Sequence, residues 1–158
     1  MGLNKLYDKI YCLNLDRRPD RWQQCQEEFE KHNIVVERFT AVDWRTIFPL
    51  SMHEDRYLAN IAHLSSFINF FREVIEKNYD SVVLFEDDIV FCDDFTEKFD
   101  SYIKQVPSDA IMLYIGGNHS NGFFHTDSMN VIKCKNSLAT HAIGFKKVPV
   151  PKTNMNSF

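Results

Sequence analysis

The fold of this chain is best predicted from one segment, Ser81-Val82-Val83-Leu84-Phe85-Glu86-Asp87-Asp88-Ile89-Val90-Phe91. Its first half is a run of apolar residues, which indicates a strand covered on both faces, as in a parallel sheet with helices above and below. Three consecutive carboxylates follow the run directly. Because ligands of such sheets bind beyond the carboxyl ends of the strands, the segment predicts negative charge at a ligand-binding edge.

The carboxylate triplet, residues 86–88, has two interpretations. Three adjacent carboxylates repel one another unless a cation lies among them, and oxygen-rich sites suit Mg²⁺ or Mn²⁺. The second interpretation is a solvated turn in which Asp93 or Asp94 caps the next helix and the acidic side chains favour its N-terminus. The segment alone favours neither interpretation.

Strand and helix patterns alternate along the rest of the chain, which predicts an α/β doubly wound fold, a mostly parallel sheet flanked by helices. Residues 110–115 are expected to form a further buried strand, and residues 43–53 an irregular loop. The other predicted strands are 10–15, 35–39, 131–133 and 142–145, and the predicted helices run from Pro19 to about Asn33, from 55 to 77 and from 94 to 104.

The long helix carries a stripe of apolar residues at three- and four-residue spacing, and further apolar residues widen it. This pattern predicts a mostly buried helix. The stripe comprises Ile61, Leu64, Ile68, Phe71 and Ile75, and the residues that widen it are Phe67, Phe70 and Val74.

Composition limits the function classes. The chain has 158 residues, 44% of them hydrophobic, and a net charge of −4, which argues against a broad nucleic-acid or anionic-membrane surface. The N-terminal residues lack the apolar core of a signal peptide, and the long helix is interrupted by polar residues, so we expect no membrane span and a cytoplasmic protein. The four widely spaced cysteines are expected to be reduced thiols.

Two other loops are predicted at the same edge of the sheet. Arg17, Arg18 and Arg21 lie between a strand and a helix N-terminus, where arginine and free amides favour a phosphate. The alternative is a solvated loop in which one arginine pairs with Asp16 or Asp20. The second loop, 116–119, follows the strand predicted at 110–115.

The chain lacks both common phosphate-binding motifs, Gly-x-x-x-x-Gly-Lys-Ser/Thr and Gly-x-Gly-x-x-Gly. His63 lies near Ser65 and Ser66 but without a nucleophile elbow, so we interpret it as a structural histidine. His141 is either a ligand or a histidine hydrogen-bonded within the fold. The combination of a carboxylate-held cation and an arginine-rich loop favours nucleotide-sugar chemistry.

The opening block, residues 11–22 (Tyr-Cys-Leu-Asn-Leu-Asp-Arg-Arg-Pro-Asp-Arg-Trp), resembles the first motif of glycosyltransferase family 25, the lipooligosaccharide and collagen galactosyltransferase-like family. The likeness continues in the same order over residues 8 to 145. Its later blocks are Arg-Phe-Thr-Ala-Val-Asp at 38–43, the segment 78–88, Leu-Tyr-Ile-Gly-Gly-Asn-His at 113–119 and Thr-His-Ala at 140–142.

The resemblance implies a GT-A fold, Mn²⁺ (or Mg²⁺) as cofactor and a UDP-sugar donor. It implies transfer of galactose or glucose, with inversion, to a hydroxyl of a glycan or a hydroxylated protein. By position, Glu86-Asp87-Asp88 takes the place of the Asp-x-Asp motif. Asp88, Glu86 and His141 are the implied metal contacts; Asn14, Leu15, Arg17, Arg21, Glu86 and Asp87 are the implied cofactor-binding residues; and His119 and Asp127 are candidates for the general base.

Two departures from the family pattern affect these expectations. The Ser-His pair usual at the start of the long helix falls on Ser66-Phe67, so its histidine is missing or displaced to His63. Residues 1–145 are expected to form one donor-binding domain and residues 146–158 an irregular tail, which leaves the acceptor side without a segment. Completion of that side by a partner chain is one of the open alternatives. A truncated non-catalytic nucleotide- or partner-binding domain and a UDP-sugar hydrolase are therefore the alternatives.

Overall fold

The computed structural model describes residues 2–48, 56–119 and 122–147. The main sheet has five strands in the order β2-β1-β3-β7-β4, and a separate two-stranded hairpin is formed by β5 and β6. The strands are β1 Lys9–Asn14, β2 Glu37–Thr40, β3 Ser81–Glu86, β4 Met112–Gly116, β5 Phe123–His125, β6 Ile132–Cys134 and β7 Ala142–Lys146; the helices are α1 Leu3–Leu6, α2 Pro19–Lys31, α3 Trp44–Ile47, α4 Arg56–Glu76 and α5 Phe95–Tyr102, the last continued by a 3₁₀ turn at Ile103–Gln105.

The sheet is mostly parallel. β1 pairs in parallel with both β2 and β3, whereas β7 is antiparallel to both of its neighbours, β3 and β4. The carboxyl ends of β1, β2, β3 and β4 therefore lie at one edge of the sheet. The predicted α/β class with a mostly parallel, helix-flanked sheet is confirmed.

Side chains alternate across β1 and β3 and enter two separate cores. One core contains Cys12 and Phe85 and packs against α2 and α5, and the other contains Tyr11 and Leu84 and packs against α4. All four side chains are almost completely buried. The apolar run of β3 is thus continuous because both faces of the strand are covered.

Local sequence explains where two of the helices end. Pro19 occupies the first turn of α2, as its fixed φ angle favours. Asn33 and Asn78 follow α2 and α4 with φ of 54° each, the left-handed conformation that commonly terminates helices and that asparagine tolerates. The predicted ends of these helices are within a few residues of the observed ones.

The predicted buried face of α4 is wrong for the stripe itself and right for the residues that widen it, because Phe70 is buried and Phe67 and Val74 pack against the same core. Leu64, Ile68 and Ile75 are 61%, 45% and 75% exposed, whereas Ala62, Ser66 and Phe70 are buried against the sheet. Small residues at 62 and 66 let the helix approach the sheet closely. The Ser66 hydroxyl is satisfied there, because it donates to the carbonyl of Ala62 and accepts from the N–H of Val42.

The strand predicted at 110–115 is also not buried. β4 is the edge strand of the sheet, and Ile111 and Met112 are about half exposed. The reason is that β7 inserts between β3 and β4, and a pairing so distant in sequence leaves no local pattern.

The loop predicted at 43–53 and the tail predicted at 146–158 are only partly described by the structure. Residues 44–47 of the loop predicted at 43–53 form α3, and residues 49–53 lie outside the described residues. Lys146 ends β7, and residues 148–158 of the predicted tail also lie outside. In the described part of the chain, no helix is long and apolar enough to cross a membrane.

Candidate metal centre

Glu86, Asp88 and His141 form a cluster at the carboxyl edge of the sheet. Each offers one ligand atom, and these atoms all lie within 4.8 Å of one another. His141 Nδ1 lies 3.4 Å from Glu86 Oε2 and 3.5 Å from Asp88 Oδ1. The structure thus brings together the three residues predicted as metal contacts.

The cluster exists because β7 is antiparallel to β3. Glu86 is the last residue of β3, while His141 directly precedes β7, so the two residues meet at the same edge. The backbone N–H of Glu86 donates to the carbonyl of His141 at 2.9 Å. Asp88 joins Glu86 because it lies two residues further along the chain, in the turn that directly follows β3.

The cluster is accessible to solvent on one side. The side chains of Asp88 and His141 are 48% and 50% exposed, and that of Glu86 is 22% exposed. Two carboxylates and an imidazole fit a divalent cation: the carboxylates suit Mn²⁺ or Mg²⁺, and the imidazole favours the transition metal of the two. A cation at this position would offset the repulsion between the two carboxylates.

Asp87 points into a different environment. Its Oδ2 accepts from Asn14 Nδ2 at 2.7 Å and its Oδ1 from Arg21 NH1 at 3.0 Å, and its side chain is only 13% exposed. Asn14 is 1% exposed, donates also to the carbonyl of Arg18, and accepts from Arg38 Nε at 2.8 Å. Asn14, Asp87 and Arg21 are therefore joined in one hydrogen-bonded network beside the metal cluster.

The remaining arginines of the loop between β1 and α2 also have carboxylate partners. Arg17 Nε donates to Asp43 Oδ2 at 2.6 Å, and Arg18 forms a bidentate ion pair with Asp20. The hydrogen bond from Arg18 lowers the pKa of Asp20 to about 2. The predicted patch of positive charge is thus largely balanced by pairing within the protein, and the pairing of Arg18 with Asp20 matches the solvated-loop alternative.

Asp43 connects this loop to α3. Burial acts to raise its pKa, but hydrogen bonds from the backbone N–H of Arg45 and from Arg17 outweigh that effect, so the pKa lies below its usual range. Asp43 is also the N-cap of α3, where its side chain accepts from the N–H of Arg45. Leu15 lies in the same loop, and its carbonyl accepts from the N–H of Arg18.

The two candidate bases do not belong to the metal cluster. His119 Nδ1 lies 3.0 Å from Ser137 Oγ and 3.3 Å from Cys134 Sγ, beside the small hairpin. Asp127 is exposed in the turn between β5 and β6. The structure therefore brings the predicted metal contacts together but leaves the candidate bases elsewhere.

Sequence reasoning missed three residues of this region. Thr140 donates a hydrogen bond to Glu86, His63 contacts Thr140, and Arg38 holds both Asn14 and Asp16. Arg38 gave a usable signal, because a charged residue inside a predicted strand needs a partner when the strand lies within a sheet. Local patterns gave no signal for Thr140 and His63, because their partner is distant in sequence, but the family resemblance included both positions, in the Thr-His-Ala block and as the displaced histidine.

Comparison with known proteins now identifies the family. The model of glycosyltransferase family 25 (LPS biosynthesis protein) matches residues 7–156. The chain belongs to glycosyltransferase family 25. The resemblance found in the sequence is thereby confirmed over almost the whole chain.

Individual relatives are distant and longer. A protein of Acanthamoeba polyphaga mimivirus named "Putative glycosyltransferase" is 26% identical over 151 residues, which cover 86% of this chain and 45% of the relative. A glycosyltransferase 25 family member of Drosophila pseudoobscura pseudoobscura is 29% identical over 100 residues, 53% of this chain and 16% of the relative.

A rat protein named "Probable inactive glycosyltransferase 25 family member 3" is 24% identical over 134 residues, 73% of this chain and 23% of the relative. The chain spans less than half the length of each of these three relatives.

Proposed function

We propose that this chain is the donor-binding part of a metal-dependent glycosyltransferase. In this proposal it takes a hexose, galactose or glucose, from a UDP-sugar and delivers it to a hydroxyl of a glycan or protein, with inversion. The observation that carries the proposal is the cluster of Glu86, Asp88 and His141 at the carboxyl edge of the sheet in a chain of family 25.

The cluster would hold Mn²⁺ or Mg²⁺. When bound, such a cation neutralises diphosphate charge and helps UDP leave. Asp88 and His141 supply the more accessible donors, and Glu86 supplies the donor that is fixed from within the fold. The carboxylates also keep the site anionic until a cation binds, which favours its capture.

The loop after β1 would receive the nucleotide. The conformation of this loop is stabilised by Asn14, whose side-chain amide donates to the carbonyl of Arg18 and to the carboxylate of Asp87. Leu15 and Arg17 lie on this loop, and Arg21 lies in the first turn of α2, which follows it. Arg21 is paired with Asp87, the residue between Glu86 and Asp88 in the sequence, and in this proposal its guanidinium group would contact the diphosphate.

Inverting transfer also needs a general base within hydrogen-bond reach of the acceptor hydroxyl. His119 and Asp127 remain the candidates in this chain. His119 is held by Ser137 and Cys134, whereas Asp127 is exposed to solvent. A base on a partner chain is the alternative within the same proposal.

A second candidate function is nucleotide or partner binding without transfer. The observation that favours it is the rat relative, whose name describes it as inactive. The two functions share the donor site and differ in turnover, so one assay separates them.

The test is UDP release from UDP-galactose, UDP-glucose and other UDP-sugars, with and without Mn²⁺ and with and without a panel of sugar acceptors. We expect release that requires Mn²⁺ and increases when an acceptor is added. Asp88→Asn should abolish release, while Asp93→Asn, an exposed carboxylate outside the cluster, should leave it unchanged.

Other outcomes assign other functions. Equal UDP release with and without acceptors indicates a UDP-sugar hydrolase. Mn²⁺-dependent UDP binding without release indicates a binding domain. Absence of both binding and release overturns the donor-site proposal.

A further inference from the structure

We infer that His63 is a positioning residue that fixes the orientation of the Glu86 carboxylate through Thr140. This inference rests on the proposed metal site. It assigns a role to a histidine that the sequence alone indicates to be structural.

The two carboxylate oxygens of Glu86 face different partners. Oε2 lies toward His141, at 3.4 Å, within the metal cluster. Oε1 lies on the other side, where it accepts a hydrogen bond from the hydroxyl of Thr140. The Thr140 bond therefore determines which oxygen of Glu86 remains available to a cation.

His63 reaches this bond from α4. Its Nε2 lies 3.3 Å from Thr140 Oγ1 and 3.7 Å from Glu86 Oε1. The long helix thus adds a third element to a site otherwise built from the ends of β3 and β7.

The direction of the hydrogen bonds follows from proton counting. A threonine hydroxyl has one proton, and Thr140 donates it to Glu86, whose ionised carboxylate can only accept. Thr140 must therefore accept from His63, which places the ring proton on Nε2. A chain of two hydrogen bonds results, from His63 through Thr140 to Glu86.

The ring of His63 is itself held in place. It lies against Phe67, one turn along α4, with ring centroids 5.0 Å apart, and Phe67 packs against the buried core of that face. Partners of this kind, which orient a metal-binding side chain, typically change metal affinity 10- to 100-fold when they are removed.

Two substitutions separate the donor from the ring. His63→Phe keeps an aromatic ring against Phe67 but removes the donor, and His63→Gln keeps a donor but removes the ring. We expect His63→Phe to weaken Mn²⁺ binding by about 10-fold, and His63→Gln to retain most of the affinity. His125→Ala, a change at an exposed histidine on β5, is the matched control and should have no effect.

The measurement is Mn²⁺ titration of the full chain, followed by electron paramagnetic resonance, with urea unfolding of each variant to verify folding. If the wild type binds Mn²⁺ and His63→Phe binds it equally well, the inference is wrong while the proposed metal site stands. If His63→Gln loses as much affinity as His63→Phe, a hydrogen-bond donor at position 63 does not maintain the affinity, and the inference is again wrong.

A second readout does not depend on the metal. The ¹⁵N chemical shifts of the His63 ring should report a proton on Nε2 in the wild type, and Thr140→Val should change that signal. A wild-type proton on Nδ1 overturns the inference whatever the metal titration shows. Failure of the wild type to bind Mn²⁺ together with an Nε2 proton would reject the metal site and retain the hydrogen-bond chain.

Discussion

Asp87 and Asp88 are neighbours in the sequence, but they lie in different chemical environments. Asp87 is 13% exposed and accepts hydrogen bonds from Asn14 and Arg21, whereas Asp88 is 48% exposed and faces His141. Both residues lie in the turn that follows β3, and the contacts of Asp87 with Asn14 and Arg21 account for its lower exposure. One triplet of carboxylates therefore serves two purposes: its middle member stabilises the loop after β1, and its outer members form the candidate metal centre.

The hydrogen-bonded network around Asp87 depends most strongly on Asn14. Replacing it with alanine removes one hydrogen bond from each of three groups: the Asp87 carboxylate, the Arg38 guanidinium and the carbonyl of Arg18. We expect Asn14→Ala to lower the free energy of unfolding by about 3 kcal/mol, measured by urea denaturation. Asn118→Ala, at an exposed position, is the control; equal stability of the two variants would show that the network contributes little.

The two aspartates should respond differently to the same change. We expect Asp87→Asn to lower the free energy of unfolding by about 2 kcal/mol, because an amide group cannot accept as well from both Asn14 and Arg21. Asp88→Asn should change it by less than about 0.5 kcal/mol, as is usual for exposed positions. Urea denaturation of both variants without metal tests this prediction. A larger loss of unfolding free energy for Asp88→Asn than for Asp87→Asn would contradict it.

A smaller effect is expected from the pairing of Asp43 with Arg17. The pKa of Asp43 is lower in the folded protein than in the unfolded chain, so its ionised form stabilises the fold above the unfolded pKa of about 3.9. That contribution is lost as the pH falls through the folded pKa. Wild type should therefore be more stable than Asp43→Asn at pH 7, and the difference should shrink below about pH 4.

Urea denaturation of wild type and Asp43→Asn over this pH range measures the difference directly. A difference that stays constant down to acid pH would show that ionisation of Asp43 does not stabilise the fold. A stability difference between wild type and Asp43→Asn that grows on acidification would instead require the pKa of Asp43 to be raised in the folded protein.

The sequence predicted the mostly parallel sheet and the proximity of Glu86 and Asp88 because both depend on local patterns. The apolar run of β3 and the carboxylates after it are contiguous, so Glu86 and Asp88 lie close together at the end of that strand. The family resemblance added His141, whose place beside Glu86 depends on the antiparallel pairing of β7 with β3. The roles of all three residues as metal ligands stay predictions.

The failures have a common physical cause. Apolar residues lie on most sides of α4, so hydrophobicity could not identify the buried face; the need for small residues near the sheet, Ala62 and Ser66, selects it. The edge position of β4 and the contact between His63 and Thr140 depend on pairings distant in sequence. The charge balance of the arginine loop likewise depends on Asp43 and Asp87, which lie far from that loop in the sequence.

If the outer carboxylates of the triplet bind a divalent cation, Mn²⁺ affinity depends on Asp88. Calorimetric titration of Mn²⁺ into wild type, Asp88→Asn and Asp93→Asn, with UDP present, tests this claim most directly. We predict equal dissociation constants for wild type and Asp93→Asn, and a loss of at least about 10-fold in affinity for Asp88→Asn. Unchanged Mn²⁺ affinity in a folded Asp88→Asn variant would contradict the account.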